Sequence, residues 1–183
     1  MPLSKPERRK HAHRRHISCD GFERADGLWD IEARMTDIKS EPVDNPERGG
    51  YVSAGEAFHD ISLRVTLDKQ LLIHKVEAAI DASPFTMCPA IVGAFKQLEG
   101  TRIGSGWLQE AKARVGGAKG CTHLHELLPV IATTGIQAIW PSLREDVMQA
   151  GAKMMLNSCH TWAEDSQVIQ RYLPQHYKNK TFS

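Results

Sequence analysis

The sequence predicts an α+β fold: an N-terminal antiparallel sheet of about four strands, then a helical C-terminal half packed on one of its faces. Three observations lead there. Within residues 15–81, runs of apolar and polar residues alternate with period two, most clearly over 28–39 and 58–68. Short turn signals, not helical crossovers, separate these runs, which implies antiparallel neighbours. After Ser83-Pro84 the apolar spacing becomes helical and stays so.

The 183 residues are enough for one domain with a sizeable core. Residues 1–14 read as a basic, disordered arm, 15–173 as a single α+β domain and 174–183 as a tail. In the first domain run, residues 15–24 alternate loosely up to Ala25-Asp26-Gly27. Asp-Gly between strand-like runs signals a hairpin. In the second run, Leu28 to Lys39, Trp29, Ile31, Ala33 and Met35 share one face, and Asp30, Glu32, Arg34 and Thr36 the other. Residues 40–57 are rich in Pro, Gly, Asp and Glu and read as a long loop, a length often tied to a lid or a binding function. The third run, Phe58 to Asp68, puts His59, Ile61, Leu63, Val65 and Leu67 on one face, with Asp60, Ser62, Arg64 and Thr66 on the other. A turn at Asp68-Lys69-Gln70 leads into the last strand, Leu71 to Asp81.

The helical half opens with a short helix over Pro89 to Leu98 and a second over Trp107 to Val115, ended by Gly116-Gly117. The next helix starts near Cys121, and its apolar stripe is Leu124, Leu127, Leu128, Ile131 and Ile139. Pro129 lies inside it and should kink or restart it. A helix from an N-cap at Ser142 to about Ala163 and an amphipathic segment over Ser166 to Leu173 complete the chain.

Net charge is +1, concentrated as base in the first sixteen residues. No aromatic residue interleaves with those charges and no second basic patch extends them, so a nucleic-acid partner is not expected. No apolar run approaches membrane-spanning length, and no signal-peptide core is present; a cytoplasmic protein without a membrane partner is expected. The four cysteines form no C-x-x-C pair. Neither a Walker loop nor a strand-linked G-x-G-x-x-G occurs, which removes support for nucleotide cofactors.

The chemistry converges on Gly116-Gly117-Ala118-Lys119-Gly120-Cys121-Thr122-His123-Leu124-His125-Glu126, a flexible loop opening a helix. His123 and Glu126, at i and i+3, are helical neighbours, and a carboxylate beside an imidazole makes a general base. His123-x-His125 is poor ligand spacing on a helix, and a metal would need His59, Asp60 or His160 from elsewhere; no metal is expected. Asp60 and Arg64 share a polar strand face that would become a cleft wall if helices covered it.

Three blocks together resemble a bacterial family catalogued as a domain of unknown function. They are Arg24-Ala25-Asp26-Gly27-Leu28-Trp29-Asp30-Ile31-Glu32-Ala33-Arg34 with Thr36-Asp37 and Lys39; Ala54-Gly55-Glu56 with His59-Asp60 and Leu63-Arg64; and Gly116-Gly117 with Gly120-Cys121-Thr122-His123-Leu124. Cys159-His160 fits a weaker fourth block. The resemblance spans roughly residues 15–173, and His125 departs from it, where a small polar residue is commoner. Some proteins of similar sequence resemble cofactor-free lyases of lignin-derived aromatic dimers. These open a phenylcoumaran ring and release the hydroxymethyl carbon as formaldehyde, leaving a stilbene.

That resemblance implies a lyase without cofactors, acting by general acid/base catalysis on a small aromatic substrate. His123 would be the base, oriented by Glu126. Arg64 and Lys39 would stabilise phenolate charge, and His59 and Asp60 would handle the second proton. Trp29, Arg34, Asp37, Thr122 and Gln137 are the expected substrate contacts. Two alternatives stand beside it: a hydrolase (phosphatase or esterase) on an aromatic substrate, and a non-catalytic ligand-binding or assembly module. A homo-oligomer is compatible with all three.

Overall fold

The computed structural model describes residues 3–143, 151–152 and 155–179. The chain forms two compact units, residues 1–139 and 140–183.

The first unit is built on a four-stranded antiparallel sheet in the order β1-β2-β5-β6. Its strands are β1 (His13–Glu23), β2 (Trp29–Lys39), β5 (Ala57–Leu67) and β6 (Ile73–Ala82). The hairpin β1–β2 turns at Asp26-Gly27: Gly27 has φ 82° and the Arg24 amide donates to the Leu28 carbonyl at 2.8 Å. Alternation sorts the side chains as expected. Trp29, Ile31, Ala33 and Met35 of β2 and Ile61, Leu63, Val65 and Leu67 of β5 are buried on one face. At about 25 cal/mol per Å² of apolar area, each fully buried side chain of this size contributes about 1.5–3 kcal/mol.

One expectation fails between β2 and β5. Residues 40–57 contain a second, two-stranded sheet, β3 (Val43–Asn45) with β4 (Gly50–Val52), joined by a 3₁₀ turn over Pro46–Arg48. Pairs of three-residue strands are too short for alternation to reveal. Val52 is buried and Asn45 donates to the Pro84 carbonyl at 3.0 Å, so this hairpin is tied to the segment after β6.

Cys88–Leu98 is a 3₁₀ stretch instead of the expected α-helix, and it packs against β6 through buried Phe95 and Leu98. Helix α1 (Trp107–Val115) follows, its buried Trp107 indole donating to Thr101 Oγ1 at 3.0 Å. Helix α2 (Thr122–Ile139) lies across β1, β2 and β5 with Leu124, Leu127, Leu128 and Ile131 buried. It therefore covers the apolar sheet face and leaves the Asp60–Arg64 face open. It also continues through Pro129 as one helix.

The second unit has a small core of Ala152, Ile169 and Leu173, flanked by Trp140, Leu156, Trp162 and Tyr177. Much of the helix expected from Ser142 to Ala163 lies outside the described residues. Its described residues 151, 152 and 155 are helical, but the helix does not reach Ala163: Asn157 has φ 60°, and His160–Trp162 is a 3₁₀ turn. Helix α3 (Gln167–Tyr172) is capped by Ser166, whose hydroxyl accepts from the Ile169 amide at 3.2 Å.

Candidate active site

The site assembles where the apolar faces of β1, β2 and β5 run out and α2 begins. On β2 the buried register Trp29-Ile31-Ala33-Met35 continues into Asp37. On β5 the register Ile61-Leu63-Val65 begins one step earlier at His59. Strand pairing sets Arg15, Asp37 and His59 directly opposite one another across three strands. The register slips immediately beyond, between Asp37 and Ile38, leaving Phe58 as an extra residue in β5. Bulges of this kind re-aim side chains next to functional sites.

Asp37 is only 2% exposed and accepts four hydrogen bonds. Arg15 donates twice, Nε to Oδ1 at 2.8 Å and Nη2 to Oδ2 at 2.7 Å. His13 Nε2 lies 3.1 Å from Oδ1, and His59 Nδ1 lies 2.9 Å from Oδ2. A buried carboxylate needs this saturation, since an unpaired buried charge is very costly. The Arg15 bonds, helped by its charge and by His59, hold the Asp37 carboxyl down to about 2. Asp37 is thus an acceptor at neutral pH, and His59 Nδ1 must carry the proton it shares with it. The lone pair of His59 then resides on Nε2.

Burial pushes His59 below the ordinary histidine range, and neighbouring His123 pushes the same way, against the upward pull of Asp37. His123 comes from the first turn of α2, and its ring centroid is 4.0 Å from that of His59, with planes inclined by 39°. Phe58 packs edge-on against His59 at 5.3 Å, and Lys39 Nζ lies 5.9 Å above the Phe58 ring. The loop before α2 places His123 by a tight reversal. A Cβ at Gly120 would lie 2.0 Å from the Val115 carbonyl oxygen, so only glycine fits there.

The expected site residues separate into two groups. His59, Asp37 and His123 come together, Lys39 lies over the Phe58 ring that packs on His59, and Thr122 precedes His123 at the start of α2. Glu126 does not brace His123; it accepts from Arg15 Nη1, tying α2 to β1 and supporting the guanidinium that clamps Asp37. Arg34, Asp60 and Arg64 lie on the opposite, open sheet face. There Arg34 and Asp60 form a bidentate pair at 2.8 and 2.6 Å, and Arg64 bridges Glu32 and Glu77. The parity of β5 separates them from His59. Trp29 is buried at the far end of β2, about 26 Å along the strand from Asp37. Gln137 is exposed near the end of α2, about 21 Å along the helix from His123.

Arg15 and His13 escaped the sequence reading because they sit among other bases near the N-terminus. Arg15 shares the register of Ile17 and Cys19, so a charge facing the covered side of the sheet was the available signal.

Asp37, His59 and His123 offer three ligand atoms within 4.8 Å of one another, a combination their sequence spacing does not suggest. One carboxylate and two imidazoles suit zinc or a similar divalent ion. The Asp37 oxygens are already occupied, and the Arg15 guanidinium beside them repels a cation. A metal bound by all three would compete with the Arg15 and histidine bonds to Asp37.

A family model described as a protein of unknown function, DUF2889, matches residues 13–137. The chain belongs to the DUF2889 family. The match begins at the first residue of β1 and ends two residues before the end of α2, so it contains every residue of the DUF2889 site described above. No curated protein and no solved structure matches the chain.

Proposed function

We propose that this DUF2889 protein is a cofactor-independent lyase of lignin-derived aromatic dimers, opening a phenylcoumaran ring and releasing formaldehyde to leave a stilbene. The observation that carries the acid/base part is the Asp37–His59–His123 contact: an oriented imidazole, neutral at physiological pH, against a second imidazole. The substrate class comes from the sequence resemblance.

The chemistry needs proton transfers only. A base removes the proton of the free phenol. Its electrons expel the aryl ether oxygen, giving a quinone methide, and the departing phenolate takes up a proton. A base then takes the primary hydroxyl proton. The oxygen electrons form the carbonyl of formaldehyde, and the Cβ–Cγ bond electrons form the stilbene double bond as the ring rearomatises. Substrate equals stilbene plus formaldehyde, with no oxidant or reductant.

His59 Nε2 serves as one base, held by Asp37 in the required tautomer, and His123 as the partner that supplies or receives the second proton. Lys39 is the cation available to phenolate oxygen at that end of the sheet. Arg15, Glu126 and His13 act by positioning Asp37. The test is incubation of the purified protein, with chelator, with a phenylcoumaran bearing free phenol and primary hydroxyl groups. One formaldehyde per stilbene is expected; unchanged substrate after prolonged incubation overturns the reading.

A metal-dependent hydrolase is the second reading, favoured by the 4.8 Å ligand cluster alone. Stoichiometric zinc binding that is lost in both His59→Ala and His123→Ala, together with zinc-dependent ester or phosphate hydrolysis, would establish it.

A further inference from the structure

The two edges of the sheet are treated differently. The outer edge of β6 is occupied over its first residues: the Ile73 amide donates to the Thr101 carbonyl at 2.9 Å, the Gly100 amide to the Ile73 carbonyl at 2.8 Å, and the Val76 amide to the Glu99 carboxylate at 3.0 Å. The outer edge of β1 is bare. All of its eleven residues except Cys19 are exposed, and among the described residues nothing hydrogen-bonds to that edge. A long exposed edge is a template for pairing with another chain.

Its backbone polarity is determined by the bonds flanking it. The Ser40 amide donates to the Ala12 carbonyl, and the Arg24 amide to that of Leu28. Even-numbered residues of β1 therefore bond inward to β2. The N–H and C=O groups of His13, Arg15, Ile17, Cys19, Gly21 and Glu23 point outward.

The sequence of that edge, His-Arg-Arg-His-Ile-Ser-Cys-Asp-Gly-Phe-Glu, is basic in its first half and acidic in its second. Folded antiparallel on a copy of itself about Ser18, it sets His13 opposite Glu23, Arg14 opposite Phe22, Arg15 opposite Gly21, His16 opposite Asp20 and Ile17 opposite Cys19. No like charges meet, and Arg14 faces an aromatic ring that is 50% exposed in the single chain. Ile17, 37% exposed, gains an apolar neighbour. In this register the outward-pointing odd residues pair with one another, as an antiparallel ladder requires. A parallel in-register pairing would instead stack Arg14 on Arg14 and Arg15 on Arg15.

We propose that two copies of this chain pair through β1, antiparallel about a two-fold axis at Ser18, to make one continuous sheet of eight strands. The interface is isologous, as closed homodimers are. It places the partner's Glu23 beside His13, which contacts Asp37, so the clamp on the candidate base is completed at the dimer interface.

Sedimentation velocity with the full chain tests this. The wild type is expected at twice the 20.4 kDa chain mass. Asp20→Lys, which sets lysine against His16, should raise the dissociation constant about tenfold or more, and His16→Asp added to it should restore pairing. Ser18→Cys lies on the axis in a non-hydrogen-bonded pair, where Cβ atoms approach to about 4.5–5.5 Å. Mild oxidation should cross-link it into a covalent dimer, while Arg14→Cys, remote from its own copy, should not. A wild type that stays monomeric even at about one-tenth of physiological ionic strength, where charge attraction is least screened, overturns the proposal. So does a dimer that Asp20→Lys leaves unchanged, or Ser18→Cys cross-linking no faster than Arg14→Cys.

Discussion

Replacing Asp37 with asparagine removes the charge at the centre of the site and keeps its shape. The side chain is 2% exposed, and its carboxyl is held near 2 against an ordinary value of 3.8. That depression corresponds to about 2 kcal/mol of stability at neutral pH. Because the folded-state value is depressed, this contribution is complete above about pH 4 and is lost as pH falls through the folded value. About half should remain at pH 3. Arg15 keeps Glu126 and partial solvent access, so the variant strands no buried cation and the loss should not greatly exceed that figure. The assay is urea unfolding of wild type and Asp37→Asn at pH 7 and at pH 3. Comparing the two proteins at each pH cancels the other carboxylates. A stability gap of about 2 kcal/mol at pH 7 that halves at pH 3 is expected. A gap under about 0.5 kcal/mol, or one equal at both pH values, would refute the reasoning that Arg15 clamps an ionised Asp37.

Three further outcomes follow from the structure. Gly21→Ala places a Cβ 2.6 Å from that of Ala138, where α2 crosses β1, and should cost about 1–3 kcal/mol in thermal or urea unfolding. Gly135→Ala crowds only the flexible end of Leu67, at 2.9 Å, touches Ile31 at an ordinary 3.5 Å and gains helix propensity, so the same measurement should find it near neutral. The acid limb of kcat/KM for the proposed lyase should fall below pH 6.5, because burial and His123 both lower His59; a limb above 6.5 would remove His59 as the base.

The sheet was legible because period-two alternation runs clearly through β2 and β5, and Asp26-Gly27 marks the first hairpin; β1 alternates only loosely, and β6 breaks the pattern at its start. The start of α2 was legible in its glycines, and α3 in its Ser166 cap. The β3–β4 hairpin was not, since three-residue strands carry no periodicity and its composition is that of a loop. Half of the site was written into the strands: Asp37 and His59 continue registers of buried apolar residues, where a polar side chain signals a paired or functional group. Strand order was the missing information. Only the pairing of β1 with β2 and of β2 with β5 brings Arg15, Asp37 and His59 into one row. Glu126 was a helical neighbour of His123 by spacing, yet a guanidinium from a strand more than a hundred residues earlier engages it. Asp60 and Arg64 lost their expected place because the covering helix chose the apolar face.

The most direct measurement is paired release of formaldehyde and stilbene from a phenylcoumaran by wild type, His59→Gln and Arg64→Gln. Equimolar products are expected from wild type, with a loss of about a hundredfold or more in kcat/KM for His59→Gln and a change within about twofold for Arg64→Gln on the open face. Equal rates for wild type and His59→Gln, or a greater loss in Arg64→Gln, would contradict the assignment of His59 as the base.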